Sequence, residues 1–353
     1  MPFNQRKNHT LLILFILTIL FNASGSFAQK LSMAEAKHAG DSIIPEAILP
    51  FWQSLTLKEK VAQTLMVYMP SASYIKKHQF GGVLIMKPHL KDTLHLKEEL
   101  SLANESLKIP LLTAIDQEGG QVNRLQAISP EWKNLPSAKE MRTMTDDSVY
   151  NLAKQIGNEL HHYGINLNLA PVLDPPKDSK GKPSFIEVSN RSFGEFETAV
   201  PKIRSFVKGM KESKVLSTLK HFPGYDSWTN SDHQIAFSTS SKEIILRNVE
   251  LFKEFADEIP VVMLSSVRFV RLSNTPAVFN PKITAMAREI SPYTVLLTDD
   301  LWGVSLRAWI SGTDKVKGKN YPSKDFKKLI RTVLWAKNDM FMITYPAKAV
   351  EMI

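Results

Sequence analysis

The chain has 353 residues, 43% of them hydrophobic and 22% charged, which is ample apolar material for one large core and excludes a disordered polypeptide. Its formal charge of +9 comes from Lys and Arg scattered along the chain, and with no nucleic-acid-binding motif to match, this basic balance reads as solvated surface charge, not a nucleic-acid footprint. There is no cysteine, so a disulfide framework and a lipid-bearing cysteine are both excluded.

Arg6 and Lys7 precede an apolar run over residues 11–21, and small residues then lead to Ser26, Phe27 and Ala28 before Gln29. That order predicts a secretory signal peptide over residues 1–28, cleaved after Ala28, and a periplasmic or secreted protein. The apolar run is too short for a stable membrane anchor. Residues 29–54 read as a short helical arm and residues 55–353 as a single domain. Thr56 and Glu59 have the spacing of a capping box, so a helix starts at Leu57.

From there, apolar runs of strand length recur at residues 65–69, 82–86, 111–115, 167–170, 216–219, 261–264, 294–297 and 340–343. Between them, residues 93–107, 148–163, 198–211, 242–255, 281–289 and 324–335 carry apolar residues at helical spacing. Eight alternating units predict an α/β fold, a (β/α)8 TIM-type barrel. An open doubly wound sheet is the rival, because alternation alone does not say whether the sheet closes. After the last run, residues 344–353 suffice for about two helical turns, so the eighth helix is short.

A barrel enzyme places its chemistry at the C-terminal strand ends. The third run is followed by Asp116-Gln-Glu-Gly-Gly120, the fourth by Pro171-Val-Leu-Asp174, the fifth by Lys220-His-Phe-Pro-Gly224, and the seventh by Asp299 and Asp300. Four strands thus aim ionisable groups at one rim. An aspartate in such a place is also a helix cap, but Lys220-His221 is not a capping sequence, and Gly119-Gly120 suits close backbone approach to a ligand.

No metal or cofactor site is expected. His161 and His162 are adjacent on a predicted helix and face different ways, and Gly119-Gly120 lacks the spacing of a dinucleotide fingerprint. Trp228 and Trp302 flank the rim, where stacking on a ligand ring and simple packing are both open to them.

Seven blocks in register resemble glycoside hydrolase family 3, in its exo-acting β-N-acetylglucosaminidase branch. They are Leu55-Thr-Leu-Lys-Glu-Lys-Val61, Gly81-Gly-Val-Leu84, the stretch from Ile109 to Arg124, the stretch from Gly164 to Asp174, Asn190-Arg-Ser-Phe-Gly194, Lys220-His-Phe-Pro-Gly224 and Thr298-Asp-Asp-Leu301. The resemblance implies a single-domain (β/α)8-type barrel and a retaining mechanism, with Asp299 as the nucleophile that forms a glycosyl-enzyme. It also implies that Asp116, Arg124, Arg191, Lys220 and His221 contact the sugar, while Asp174 organises a loop.

The proton-transfer loop departs from the family pattern. An Asp-Ser-His triplet there provides a histidine donor oriented by the Asp two residues earlier; this chain has Ser231-Asp232-His233. His233 keeps the donor's position, but its orienting carboxylate is replaced by Ser231, and Asp232 stands beside it. Gly-His-Gly is replaced by Gly224-Tyr225-Asp226, so Asp226 is a further carboxylate able to orient or protonate. Ser266 stands where the family usually has a histidine. The expectation is a retaining exo-β-glycosidase that releases terminal β-N-acetylglucosamine from an amino-sugar glycan such as peptidoglycan fragments. A β-glucosidase or xylosidase and a sugar-binding pseudoenzyme are the alternatives.

Overall fold

A computed structural model describes residues 48–291, 294–314 and 322–353. The predicted targeting segment and all but the end of the predicted arm lie outside the described residues. The end of the arm, Leu49–Ser54, is a helix with proline in its first turn, and Ile48, Trp52 and Leu55 pack on Ile109. Thr56 caps the next helix, Leu57–Gln63, through the reciprocal bonds with Glu59 that the spacing predicts.

The strands in chain order are β1 (Leu65–Tyr68), β2 (Gly82–Ile85), β3 (Leu112–Ile115), β4 (Leu167–Asn168), β5 (Leu216–Phe222), β6 (Phe237–Ser238), β7 (Val261–Leu264), β8 (Arg268–Phe269), β9 (Val295–Thr298) and β10 (Phe341–Ile343). Eight of them form one parallel sheet in the order β10-β1-β2-β3-β4-β5-β7-β9. A parallel bridge between Leu297 and Met340 then joins β9 to β10, so the sheet closes into a barrel. The open doubly wound alternative is set aside by that last contact.

Strand alternation sorts the core into two layers. Met66, Leu84, Leu112, Ala114, Leu167, Val261, Met263, Val295, Leu297, Met340 and Met342 fill the barrel interior. Their neighbours in sequence, such as Leu65, Val67, Val83, Val262 and Leu296, pack outward with residues of the helices. Each such fully buried side chain contributes about 1.5–3 kcal/mol. The helices Asp146–His162 and Phe196–Glu212 approach closely where glycines face the contact: a Cβ on Gly157 would lie 2.6 Å from Ser213 Cβ, and one on Gly209 2.5 Å from the Tyr150 carbonyl oxygen.

Two features bear on the site. The loops after β5 and β7 pair as a short parallel ladder, β6 with β8, which alternation did not predict. Ahead of β10, the carboxylate of buried Asp339 accepts from Arg288 at 2.5 Å and from the Leu296 amide at 2.7 Å, which ties helix Pro281–Arg288 to β9. Beyond β10 come the short helix Pro346–Ala349 and a 3₁₀ turn, Val350–Met352.

Candidate active site

One more step of the alternation that fills the barrel brings Tyr68, Asp116, Lys220 and Asp299 to the axis at the C-terminal rim. The ammonium of Lys220 is 2.9 Å from Asp116 Oδ1 and 2.6 Å from Glu118 Oε1. Arg191 meets Glu118 with two parallel bonds of 2.8 and 2.9 Å, and Arg124 approaches Asp116 at 4.0 Å. Asp116, Glu118, Arg124, Arg191 and Lys220 therefore form one ionic cluster.

The charges within it are mutually dependent. Burial pushes the Glu118 carboxyl up, but Arg191 and Lys220 together outweigh it and hold the group well below the usual carboxylate range. Burial likewise disfavours the Lys220 ammonium, yet Asp116 and Glu118 outweigh it and the group stays above the ordinary lysine value. Three cations and two anions thus line the wall before any ligand arrives. A sugar hydroxyl entering there meets donors and acceptors already oriented.

Beside this cluster, Asp174 binds the start of the loop after β5. Its Oδ1 accepts from the backbone N–H groups of His221 and Tyr225 at 2.8 and 2.7 Å, and its Oδ2 lies 2.6 Å from His221 Nδ1. Asp174 therefore orients the His221 ring so that Nε2 is the nitrogen left for a ligand. Asp174 is 2% exposed, which fits the loop-organising role read for it.

Across the rim, Asp299 ends β9 with both oxygens held. Oδ1 accepts the Asp300 amide at 2.8 Å, and Oδ2 accepts a close hydrogen bond from the Ser266 hydroxyl. Asp300 turns away: its Oδ1 accepts the amides of Trp302 and Thr344 at 2.9 and 3.1 Å, and its Oδ2 accepts the Thr344 hydroxyl at 2.6 Å. Burial raises the Asp300 carboxyl to about 6. It fastens β9 to the end of β10, and Asp299 is left as the rim carboxylate.

The loop that carries the proton-transfer candidates separates them. Asp226 is 2% exposed and accepts from the hydroxyls of Ser238 and Ser240, so it ties the loop to β6 and does not open on the cleft. Asp232 and His233 lie on an exposed turn. Desolvation, followed by the Asp299 charge, raises the Asp232 carboxyl, although the residue is exposed. Trp302 packs under the rim, 5.1 Å from Tyr345 and 4.7 Å from the Arg307 guanidinium, whereas Trp228 is 68% exposed.

Asp116, Arg124, Arg191 and Lys220 thus belong to one connected cluster, with His221 held by Asp174 and Asp299 on the same rim, while Asp232 and His233 lie on the exposed turn and Asp226 stands behind it. One residue not singled out by the motifs also belongs, Glu118, which bridges Lys220 and Arg191, and Ser266, noted in the sequence as standing in place of the family's histidine, holds Asp299. Glu118 sits inside the Gly-rich block after β3, where its acidic type was the available signal. Among the described residues, no group of three His, Cys, Asp or Glu is placed to hold a metal ion.

Residues 56–300, more than half of the chain, match the family model described as glycosyl hydrolase family 3 N terminal domain. A protein named beta-hexosaminidase from Actinobacillus pleuropneumoniae serotype 3 (strain JL03) is 29% identical over 208 residues, 56% of this chain and 58% of that protein. The match therefore spans under three fifths of that relative's length. A beta-hexosaminidase from Pseudomonas aeruginosa (strain LESB58) is 28% identical over 238 residues, 64% of this chain and 68% of that one. In fold, the solved structure of M tuberculosis LpqI superposes with a TM-score of 0.71 at 24% identity, over 87% of this chain and 88% of that chain.

Proposed function

We propose for this chain, which belongs to glycosyl hydrolase family 3, the hydrolysis of terminal β-linked N-acetylglucosamine from peptidoglycan-derived or other glycans, with retention of configuration. The observation that carries this reading is the mounting of Asp299. It stands at a strand tip with each carboxylate oxygen hydrogen-bonded, on the same rim as the Asp116–Lys220–Arg191 cluster. A nucleophile needs a fixed attack direction, and a buried strand with two hydrogen bonds supplies one.

In this reading the ionic cluster grips the hydroxyls of the terminal sugar and sets its anomeric carbon before Asp299. His221, oriented by Asp174, adds a donor or acceptor through its free ring nitrogen. The carboxylate attacks, the bond to the leaving oxygen breaks, and water later releases the sugar from the ester. The amino-sugar preference is supported by the names of the relatives, both beta-hexosaminidases. Export to the periplasm or medium is supported by the pattern of residues 1–28.

A panel of aryl β-glycosides tests the proposal. The wild-type protein is expected to hydrolyse the N-acetylglucosaminide, with Asp299→Asn slower by about a thousandfold or more while N-acetylglucosamine binding by calorimetry persists. Faster release of glucose or xylose than of N-acetylglucosamine would move the substrate to the alternatives. Full activity in Asp299→Asn would remove the nucleophile assignment.

A further inference from the structure

Both oxygens of Glu118 are spent on cations. Its Oε1 accepts from Arg191 Nη2 at 2.9 Å and from the Lys220 ammonium at 2.6 Å, and its Oε2 accepts from Arg191 Nε at 2.8 Å. The side chain of Glu118 is 5% exposed, against 22% for Asp116, 18% for Arg124 and 19% for Arg191. A ligand in the cleft therefore has Asp116 and the two arginines to touch, while Glu118 stays behind them.

The backbone fixes where this carboxylate stands. The amides of Glu118 and Gly119 both donate to the Val122 carbonyl, at 2.9 and 3.2 Å, and the Gly120 amide donates to the Leu135 carbonyl at 3.0 Å. Behind the cluster, Glu118 and Arg191 line a small cavity with Ala138, Val172, Phe193 and Phe206. Charges backed by an apolar wall are poorly screened, so each acts strongly on its neighbours and on a ligand at the open side.

The balance of charge decides what such a wall attracts. Arg124, Arg191 and Lys220 are positive, and Asp116 and Glu118 answer them with two negative charges. Without Glu118, three cations would face a single carboxylate, with two arginine forks open to the cleft, which is the composition of a phosphate or carboxylate site. Arg191 and Lys220 hold the Glu118 carboxyl well below the usual range, so its countercharge persists through neutral and mildly acid pH.

We propose that Glu118 is a positioning residue that sets specificity: by holding Arg191 and Lys220 and cancelling one of their charges, it makes the wall read neutral sugar hydroxyls and turn away anionic groups. The proposal rests on the glycosidase reading of the same site and narrows it, because uronic acids and phosphorylated or sulfated sugars are then rejected at this position. Donor counting agrees with it. An ammonium has three N–H donors, of which Asp116 and Glu118 take two from Lys220, and a guanidinium has five, of which Glu118 takes two from Arg191. The remaining N–H groups suit hydroxyl oxygens, and Asp116 supplies the acceptor for a hydroxyl hydrogen.

The test measures binding of inorganic phosphate and of N-acetylglucosamine by calorimetry at constant ionic strength, beside hydrolysis of an aryl β-N-acetylglucosaminide, with melting curves to check folding. Glu118→Gln keeps the shape and removes the charge, so phosphate is expected to bind at least about tenfold tighter than to wild type, and the sugar about tenfold more weakly. Glu118→Asp keeps the charge and shortens the reach, so the sugar weakens similarly while phosphate binding stays at the wild-type level. Glu118→Gln/Lys220→Met removes one charge of each sign and is expected to bind phosphate no better than wild type; this arm stands even if Glu118→Gln alone does not fold. A glutamate with only a structural role would weaken sugar binding and gain phosphate in no variant. That result, a phosphate gain in the double variant, or wild type binding phosphate with a Kd below about 1 mM, would overturn the inference and leave hydrolysis by wild type intact. Wild type that hydrolyses no glycoside, with the phosphate results as expected, would remove the glycosidase reading and leave the charge rule of the site standing.

Discussion

Asp299 is held by unequal means: a backbone amide, which among substitutions only proline would remove, fixes Oδ1, and a single hydroxyl fixes Oδ2. Ser266→Ala deletes the second bond alone. A hydrogen bond to a charged acceptor is worth about 1.5–3 kcal/mol, so kcat is expected to fall roughly 10- to 100-fold. KM should change little, because the sugar is gripped by a different set of side chains; steady-state kinetics would separate the two parameters. Ser266→Thr keeps the hydroxyl and should recover most of the rate. An unchanged kcat in Ser266→Ala would mean that the Asp300 amide alone aligns the nucleophile.

The loop after β5 behaves as an element although it is almost without regular structure. Its rigidity resides in side chains, and Tyr225→Phe removes two bonds from its centre while keeping the ring packed between His221 and Phe185. Faster amide hydrogen exchange, by about tenfold or more for the loss of a bond of about 1.5 kcal/mol, is expected at Ser231 and its neighbours, with kcat reduced and the melting temperature nearly unchanged. Unaltered exchange would show that Asp226 and Ser227 alone hold the turn. Such ties are hard to read from sequence. The eight barrel strands were legible because buried parallel strands must be apolar runs, and the rim motifs because they directly follow those runs. The β6–β8 ladder left no trace, since two-residue strands have no period. Glu118 lies within a legible motif, but its partners, Arg191 and Lys220, are far along the chain, and Ser266 stood out only as the replacement of a histidine, its bond to Asp299 being a product of the fold.

At the scale of the molecule, the barrel is closed by its last two strands, and one of the ties at their junction is a buried carboxylate. Asp339 receives Arg288 and the Leu296 amide, so Asp339→Ala takes the carboxylate from a guanidinium that keeps only the Thr294 carbonyl and leaves a backbone N–H without its acceptor. A loss of about 3 kcal/mol is expected for such a broken pair, measurable by denaturant unfolding; a loss below about 1 kcal/mol would mean that solvent replaces the carboxylate.

The two-residue period that turns Val295, Leu297 and Met340 inward reaches beyond stability. Asp299 is the next inward position after Leu297, as Tyr68 is after Met66 and Asp116 after Ala114. A slip of one residue in any of these strands would swing its apolar side chains toward the helices and carry its rim group out of the cleft with them. No arrangement therefore exists in which the greasy plug is assembled correctly and the polar crown above it is not. Evolution has only to keep the plug dry to keep the crown in register, and the reacting groups inherit their alignment from side chains that never meet the sugar.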